Sequence, residues 1–465
     1  MDAERSIERP LQASDNGWGH HLKATLVLGL PLIGAQLAQM SIHVTDTVMI
    51  GRLGPEQLAA AVLSTQTFFL VWIFGAGFAQ AVMPLAAAAV GRGDVRAVRR
   101  SVRMGLWVIM LYAALAMFLL WHYEAILLAL GQDPAVAARA GAFMRILQWG
   151  MFPALGIVGL RSYLAVLGRA NLILLVTIVG ALLNAVFAYT FIFGHFGAPA
   201  LGMEGAAFAS LGTNSAMFLI TIVYTRLSPA LQVYELYVRF WRPDWPAFFE
   251  VIRLGLPISL TVIAEASMFS FASIMMGWLG ATALAAHGIA LQLASIAFMV
   301  PLGLSNAGTV RVGMAYGRED WDDLGRAGYT TLALTALVSG TGGLLFWLLP
   351  ETLVGLYLGR PSPATADVLA SGISLLWIGA VYQIFDGLQI SGAALLRGLK
   401  DTRMPMLIAA FSYWAVGIPV AWLLAFPLGL RGDGIWWGLA LGLAVASTLM
   451  CWRFHRRAAW GLTPA

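Results

Sequence analysis

At 465 residues the chain is long enough for several soluble domains, but 60% of it is hydrophobic, only 11% is charged and the mean hydropathy is +0.79. Soluble domains carry about 25% charged residues, so these values exclude an ordinary soluble protein and point to a polytopic membrane protein. The single cysteine, Cys451, excludes an intramolecular disulfide and any cysteine-based metal cluster.

The chain opens with MDAERSIERPLQASDNGWGHHLK, which is charged and has no apolar core. Residues 1–24 therefore read as a cytosolic tail rather than a cleaved signal or transit sequence. Twelve stretches of about 20 apolar residues follow, each long enough to cross a hydrocarbon core. They are predicted over 25–50, 58–88, 104–122, 141–166, 172–194, 204–225, 251–278, 286–310, 328–349, 368–395, 404–426 and 434–453. The first six form an N-lobe, 25–225, and the last six a C-lobe, 251–453, with a linker at 226–250 and a cytosolic tail at 454–465. The linker RLSPALQVYELYVRFWRPDWPAFFE has the Pro, Trp and Arg content of an interfacial connector.

Net charge is +5, and the distribution of the 28 Lys and Arg residues explains it. Loops after odd-numbered spans receive only Arg52, Arg139, Arg360 and Arg431, with Arg145 just inside the fourth span. The other basic residues fall in or beside the termini and the even-numbered loops, including GRGDVRAVRRSVR at 91–103. This is the positive-inside pattern; it places both termini in the cytoplasm and removes the need for a nucleic-acid partner.

The halves are copies. LGLPLIGAQLAQMSIHVTDTVMIGRLG from Leu28 aligns with LGLPISLTVIAEASMFSFASIMMGWLG from Leu254 at a shift of 226 residues, and 20 of 67 positions over 28–94 are identical. A six-span unit gives both copies one orientation, so the expected fold class is an all-α polytopic membrane protein of twelve transmembrane helices in two pseudo-symmetric six-helix lobes. Parallel repeats of this kind place substrate sites near mid-membrane.

Three acids interrupt the apolar spans: Asp46 in the first, Glu265 in the seventh and Asp386 in the tenth. An aspartate near a helix centre costs about 2.5–3.5 kcal/mol, so such residues line cavities, ion paths or proton relays. Under the shift Glu265 corresponds to Gln39 and Asp46 to Ala272. Charges that only held the fold would be shared by both copies; these are not.

Helical spacing puts Tyr382, Gln383 and Gln389 on roughly one face with Asp386, an all-oxygen and amide set suited to H⁺ or a hard monovalent cation rather than zinc or copper. Buried carboxylates resist ionisation unless a cation compensates, which is the condition for exchanging H⁺ or Na⁺, and Glu265 and Asp386 would be the Na⁺ ligands. Beside Asp46, His43 is a candidate proton relay and Asn184 a candidate partner between helices. Gln39, Gln292 and Phe298 are further candidate lining residues. No P-loop, HExxH, GxSxG or GxGxxG is present, which excludes ATP hydrolysis by this chain, and no cofactor is called for.

The run PLIGAQLAQMSIHVTDTVMIGRLG, its partner GLPISLTVIAEASMFSFASIMMGWLGATALAAH, and YQIFDGLQISGAALLRGLKD resemble the multidrug and toxic compound extrusion family in its NorM-like branch. The resemblance covers nearly the whole chain. It implies a monomeric antiporter of the bacterial inner membrane, embedded among lipids, that expels organic cations and amphiphilic drugs while admitting Na⁺ or H⁺. It also implies that Glu265, Tyr382 and Asp386 form the C-lobe cation site and that Asp46 acts in coupling. The competing readings are a flippase for lipid-linked precursors, for which only Arg145 and Arg161 would begin a cationic cleft, and a membrane-embedded enzyme.

Overall fold

The structure, a computed structural model, describes residues 17–358 and 363–464. Arg360 and the tail up to residue 16 lie outside the described residues. Among the described residues, twelve helices are long and apolar enough to cross a membrane. In chain order they are α1 (Trp18–Gly51), α2 (Pro55–Gly91), α3 (Val95–Trp121), α4 (Pro134–Val166), α5 (Ala170–Phe193) and α6 (Met203–Leu227), then α7 (Trp245–Leu279), α8 (Ala281–Arg318), α9 (Trp321–Leu348), α10 (Pro363–Gly398), α11 (Arg403–Ala425) and α12 (Arg431–His455). The helices outrun the apolar spans. The basic run at 95–103 is the start of α3, capped by Asp94 Oδ1, which accepts from Ala97 N at 2.9 Å.

The 226-residue shift reappears in local geometry. Asp94 has its counterpart in Asp320, whose Oδ1 accepts from Asp323 N at 3.0 Å to cap α9. Gly54 and Gly280, each entering the second helix of its repeat, hold φ of +102° and +116°, where a side chain is disfavoured. Pro31 and Pro257 occupy equivalent positions inside α1 and α7.

Two compact units result. The first comprises 17–24 and 38–259, the second 25–37 and 260–464. Residues 25–37 of α1 thus pack in the second unit, and residues 245–259 of α7 in the first. Close crossings explain this. A Cβ on Gly303 of α8 would sit 2.7 Å from Ile33 Cα, and one on Gly77 of α2 would sit 2.6 Å from Ser259 Cα. Ile33 and Ser259 are equivalent under the shift, as are the two glycines, so one crossing is built twice.

In the first unit the linker is pinned to α3. Arg99 pairs with Glu235, Arg100 with Asp244, and Trp107 Nε1 donates to Phe240 O at 3.0 Å. Phe78, Met104, Phe248 and Leu254 bury a shared apolar cluster beneath it. The core of the second unit runs through Met268, Leu376, Tyr382, Leu396, Tyr413 and Trp436.

Candidate functional site

The first unit places Asp46 of α1 against α5 and α6. Asn184, fully buried, donates through Nδ2 to Asp46 Oδ1 at 2.9 Å, and Ser210 Oγ donates to Oδ2 at 3.4 Å. Glycine brings α5 and α6 together: a Cβ on Gly205 would lie 2.2 Å from Phe191 O, and one on Gly180 would lie 2.2 Å from Met217 Sδ. Asn214 Nδ2 donates to Ser210 O at 2.9 Å, which ties the next turn of α6 to this group. Asn184 Oδ1 is buried without a partner, so the cluster retains one open acceptor. His43 is exposed on α1, its carbonyl accepting from Thr47 Oγ at 2.9 Å, and Gln39 is half-buried a turn earlier.

The second unit assembles the other carboxylates. Asp386, only 4% exposed, accepts from the Tyr382 phenol one turn earlier on α10 and lies in the electrostatic neighbourhood of Glu265, which is half-buried on α7. Tyr382 is held edge-on by Phe269 at 6.3 Å and backed by Trp436 at 5.5 Å between ring centroids. Asp386 Oδ1 has no hydrogen-bond partner. Neither do the side-chain nitrogen and oxygen of Gln389, which is fully buried one turn on.

Gln383, whose buried side-chain nitrogen and oxygen are also unpartnered, runs beside α9. Its Cγ lies 3.9 Å from a Cβ built on Gly342 of α9, and the same face of α10 carries Gly387 against Ser339 and Ser391 against Thr335, the last pair at 2.8 Å. Residues three before and three after Asp386 sit about 60° to either side of it on a helix of 3.6 residues per turn, so Gln383 and Gln389 meet different neighbours. Gln292 and Phe298 are half-buried on α8.

Three members of these two clusters, one in the first unit and two in the second, had no sequence signal strong enough to single them out. Ser210 is one hydroxyl among many in apolar helices. Tyr413 is fully buried with an unpartnered hydroxyl; it lies beside Gln389 and within electrostatic reach of Glu265, Asp386 and Arg397. It sits on a π-helical stretch, Phe411–Gly417, that interrupts α11, and such insertions recur at functional sites. Arg397, 8% exposed at the end of α10, sets a guanidinium in the field of Glu265.

Among the described residues no group of three or more His, Cys, Asp or Glu gathers as a transition-metal site. The open acceptors on Asp386 and Gln389, together with the Glu265 carboxylate and two phenols, instead offer oxygen to a proton or a hard monovalent cation.

A duplicated twelve-helix fold with carboxylates embedded in both units is that of the MATE transporters. The chain belongs to the MatE family, whose model matches residues 31–190 and 257–423. The two matched segments begin 226 residues apart, at the repeat's own shift. Over 446 residues the chain is 53% identical to "Probable multidrug resistance protein NorM" of Rhizobium meliloti (strain 1021), covering 96% of each chain. It is 50% identical over 448 residues, again 96% of each, to the protein of the same description from Agrobacterium fabrum (strain C58 / ATCC 33970). The fold is shared with a crystal structure of MATE in complex with MaD3S at a TM-score of 0.87 and 20% identity, covering 95% of this chain and 97% of that one. An outward-facing multidrug resistance MATE transporter matches at 0.86 and 20%, covering 96% and 97%.

Proposed function

We propose that the protein is a secondary active efflux transporter of a bacterial inner membrane, with both termini cytoplasmic. It acts as a monomer, exchanging cytosolic organic cations or amphiphilic drugs for external Na⁺ or H⁺ by alternating access. The carrying observation is Asp386: a carboxylate 4% exposed inside a membrane-spanning helix, backed by Tyr382, with Glu265 near it and one oxygen left open. Relatives at 50% and 53% identity that are named for multidrug resistance support the substrate class.

The chemistry follows from charge. Two neighbouring carboxylates in a low dielectric repel each other unless a cation or a proton sits with them, so loading and unloading changes the stability of the state that encloses them. A cation that binds one conformation more tightly shifts the population towards it by that difference in affinity. Gln389 and Tyr413 complete the oxygen shell around Asp386, while Asp46, fixed by Asn184 and Ser210, supplies a second charge that responds to the same conformational cycle.

The test is Asp386→Asn in cells and in proteoliposomes loaded with ethidium, with Na⁺ and pH gradients imposed separately. Ion-driven efflux is lost while the variant reaches the membrane in normal amount, and the gradient that drives the wild type identifies the coupling ion. Wild-type efflux by Asp386→Asn would overturn the assignment.

A further inference from the structure

Outside the carboxylates, the second unit buries an imidazole that the exchange chemistry does not use. His287 of α8 is 1% exposed. Its Nδ1 lies 3.1 Å from Trp436 Nε1 and its Nε2 lies 3.0 Å from Ser273 Oγ. An indole nitrogen can only donate, so Nδ1 is the bare acceptor and the ring proton is on Nε2. Ser273 Oγ donates its own hydrogen to Phe269 O at 3.0 Å, which leaves it free to accept from Nε2. Every donor in the chain Trp436, His287, Ser273 and Phe269 therefore has one direction, and the imidazole is the neutral Nε2–H tautomer.

This chain closes on the site. Trp436, fully buried, carries its ring to 5.5 Å from that of Tyr382, and the Phe269 ring meets Tyr382 edge-on at 6.3 Å. Gly379, one turn before Tyr382, makes room for the indole: a Cβ there would be 3.3 Å from Trp436 Cζ3. Four helices, α7, α8, α10 and α12, thus meet in one loop of contacts, in which His287 bridges Ser273 of α7 and Trp436 of α12. The repeat separates this bridge from the frame. Ser273 back-bonds to Phe269 O just as its counterpart Thr47 does to His43 O at 2.9 Å, but His287 stands where the first repeat has Ala61. The hydroxyl is shared by both copies; the imidazole belongs only to the half that carries Glu265.

We infer that His287 is a positioning residue of the cation site: by accepting the Trp436 indole N–H on Nδ1, it fixes the ring that holds the Tyr382 phenol on Asp386. The inference rests on the reading of Glu265, Tyr382 and Asp386 as the coupling-cation site. Residues that orient ligands in this way typically change cation affinity rather than the ligand set itself.

The experiment compares His287→Leu, which removes the acceptor, with His287→Asn, whose Oδ1 falls where Nδ1 was. Full-length protein in proteoliposomes is assayed for the coupling-cation concentration that half-saturates ethidium efflux, and for ethidium KM at saturating cation. His287→Leu is expected to raise the half-saturating cation concentration by about 10- to 100-fold while leaving ethidium KM within about twofold, and His287→Asn to recover most of the loss. Unchanged cation dependence in His287→Leu, or equal losses in both variants across cation and ethidium alike, would overturn the inference. If His287→Leu does not fold, Trp436→Phe removes the same hydrogen bond from the other side; wild-type cation dependence in that variant overturns it equally. Asp386→Asn run in parallel keeps the two readings apart. Full efflux there defeats the cation site itself, whereas lost efflux there with an unaffected His287→Leu defeats only the role of His287.

Discussion

The duplicated helix crossing predicts opposite outcomes for glycines that look alike in the sequence. In Gly303→Ala the new methyl would meet Ile33 N and Cα at 2.7 Å, and in Gly77→Ala it would meet Ser259 N at 2.5 Å, well under the 3.4–4 Å of ordinary contact. The obstacles are backbone atoms and cannot rotate away, so the helices must separate. Overpacking of this kind costs about 1–3 kcal/mol, and with a backbone obstacle the upper half of that range applies. Gly277 and Gly340 are also helical, yet a Cβ on either meets nothing within 4 Å. There, alanine gains the helix propensity that glycine lacks, about 0.5–1 kcal/mol. Thermal unfolding in one detergent reads the difference. At about 2–4 °C per kcal/mol for units of this size, Gly303→Ala and Gly77→Ala lower the midpoint by about 4–12 °C, while Gly277→Ala and Gly340→Ala hold or raise it. Equal midpoints across the four variants would refute the crossing, and a loss in only one of the first pair would refute its repetition.

Glu319 ends α8 at φ +58°, the left-handed conformation that its counterpart Gly93 adopts at +68°, so Glu319→Gly relieves strain and stabilises the chain by about 1 kcal/mol, measurable by the same melting assay. Lower stability would contradict it. The linker provides a pH test. Asp244 accepts from Arg100 and from Ala247 N at 3.3 Å, and the guanidinium holds its carboxyl below the usual carboxylate range. A depressed folded pKa contributes stability that is complete above the unfolded value, about 3.9, and is lost as pH falls through the folded one. Hydrogen exchange over 235–244 therefore stays protected at neutral pH and opens on acidification below about pH 4, and Asp244→Asn removes this dependence; an acid-insensitive wild type would refute the pairing.

Much of the fold was legible because a membrane span is a long signal: about 20 apolar residues leave little ambiguity, and duplication doubles the reading. Asp46, Glu265 and Asp386 stood out because the bilayer penalises a carboxylate. Asn184 was visible for the same reason, and it donates to Asp46. Ser210 and Tyr413 did not stand out, since a hydroxyl in an apolar helix carries a small penalty and is common. The π-helical stretch that presents Tyr413 has no composition of its own. Nor could span counting show that α1 and α7 each contribute to both compact units. That depends on Gly77 and Gly303 admitting a neighbouring backbone, a property of pairs of helices rather than of either sequence.

The split between what the repeats share and what they do not gives the chain an addressing rule for engineering. The caps at Asp94 and Asp320, the positive-φ turns at Gly54 and Gly280 and at Gly93 and Glu319, and the crossings at Gly77 and Gly303 come in twins 226 residues apart, so a substitution that reshapes one has a partner site with a known address. Asp46 and Glu265 have no twin carboxylate, their counterparts being Ala272 and Gln39. A chain assembled from two second halves would carry the Glu265 position twice and lack Asp46 altogether, turning the number of embedded carboxylates into a quantity set by how the halves are joined.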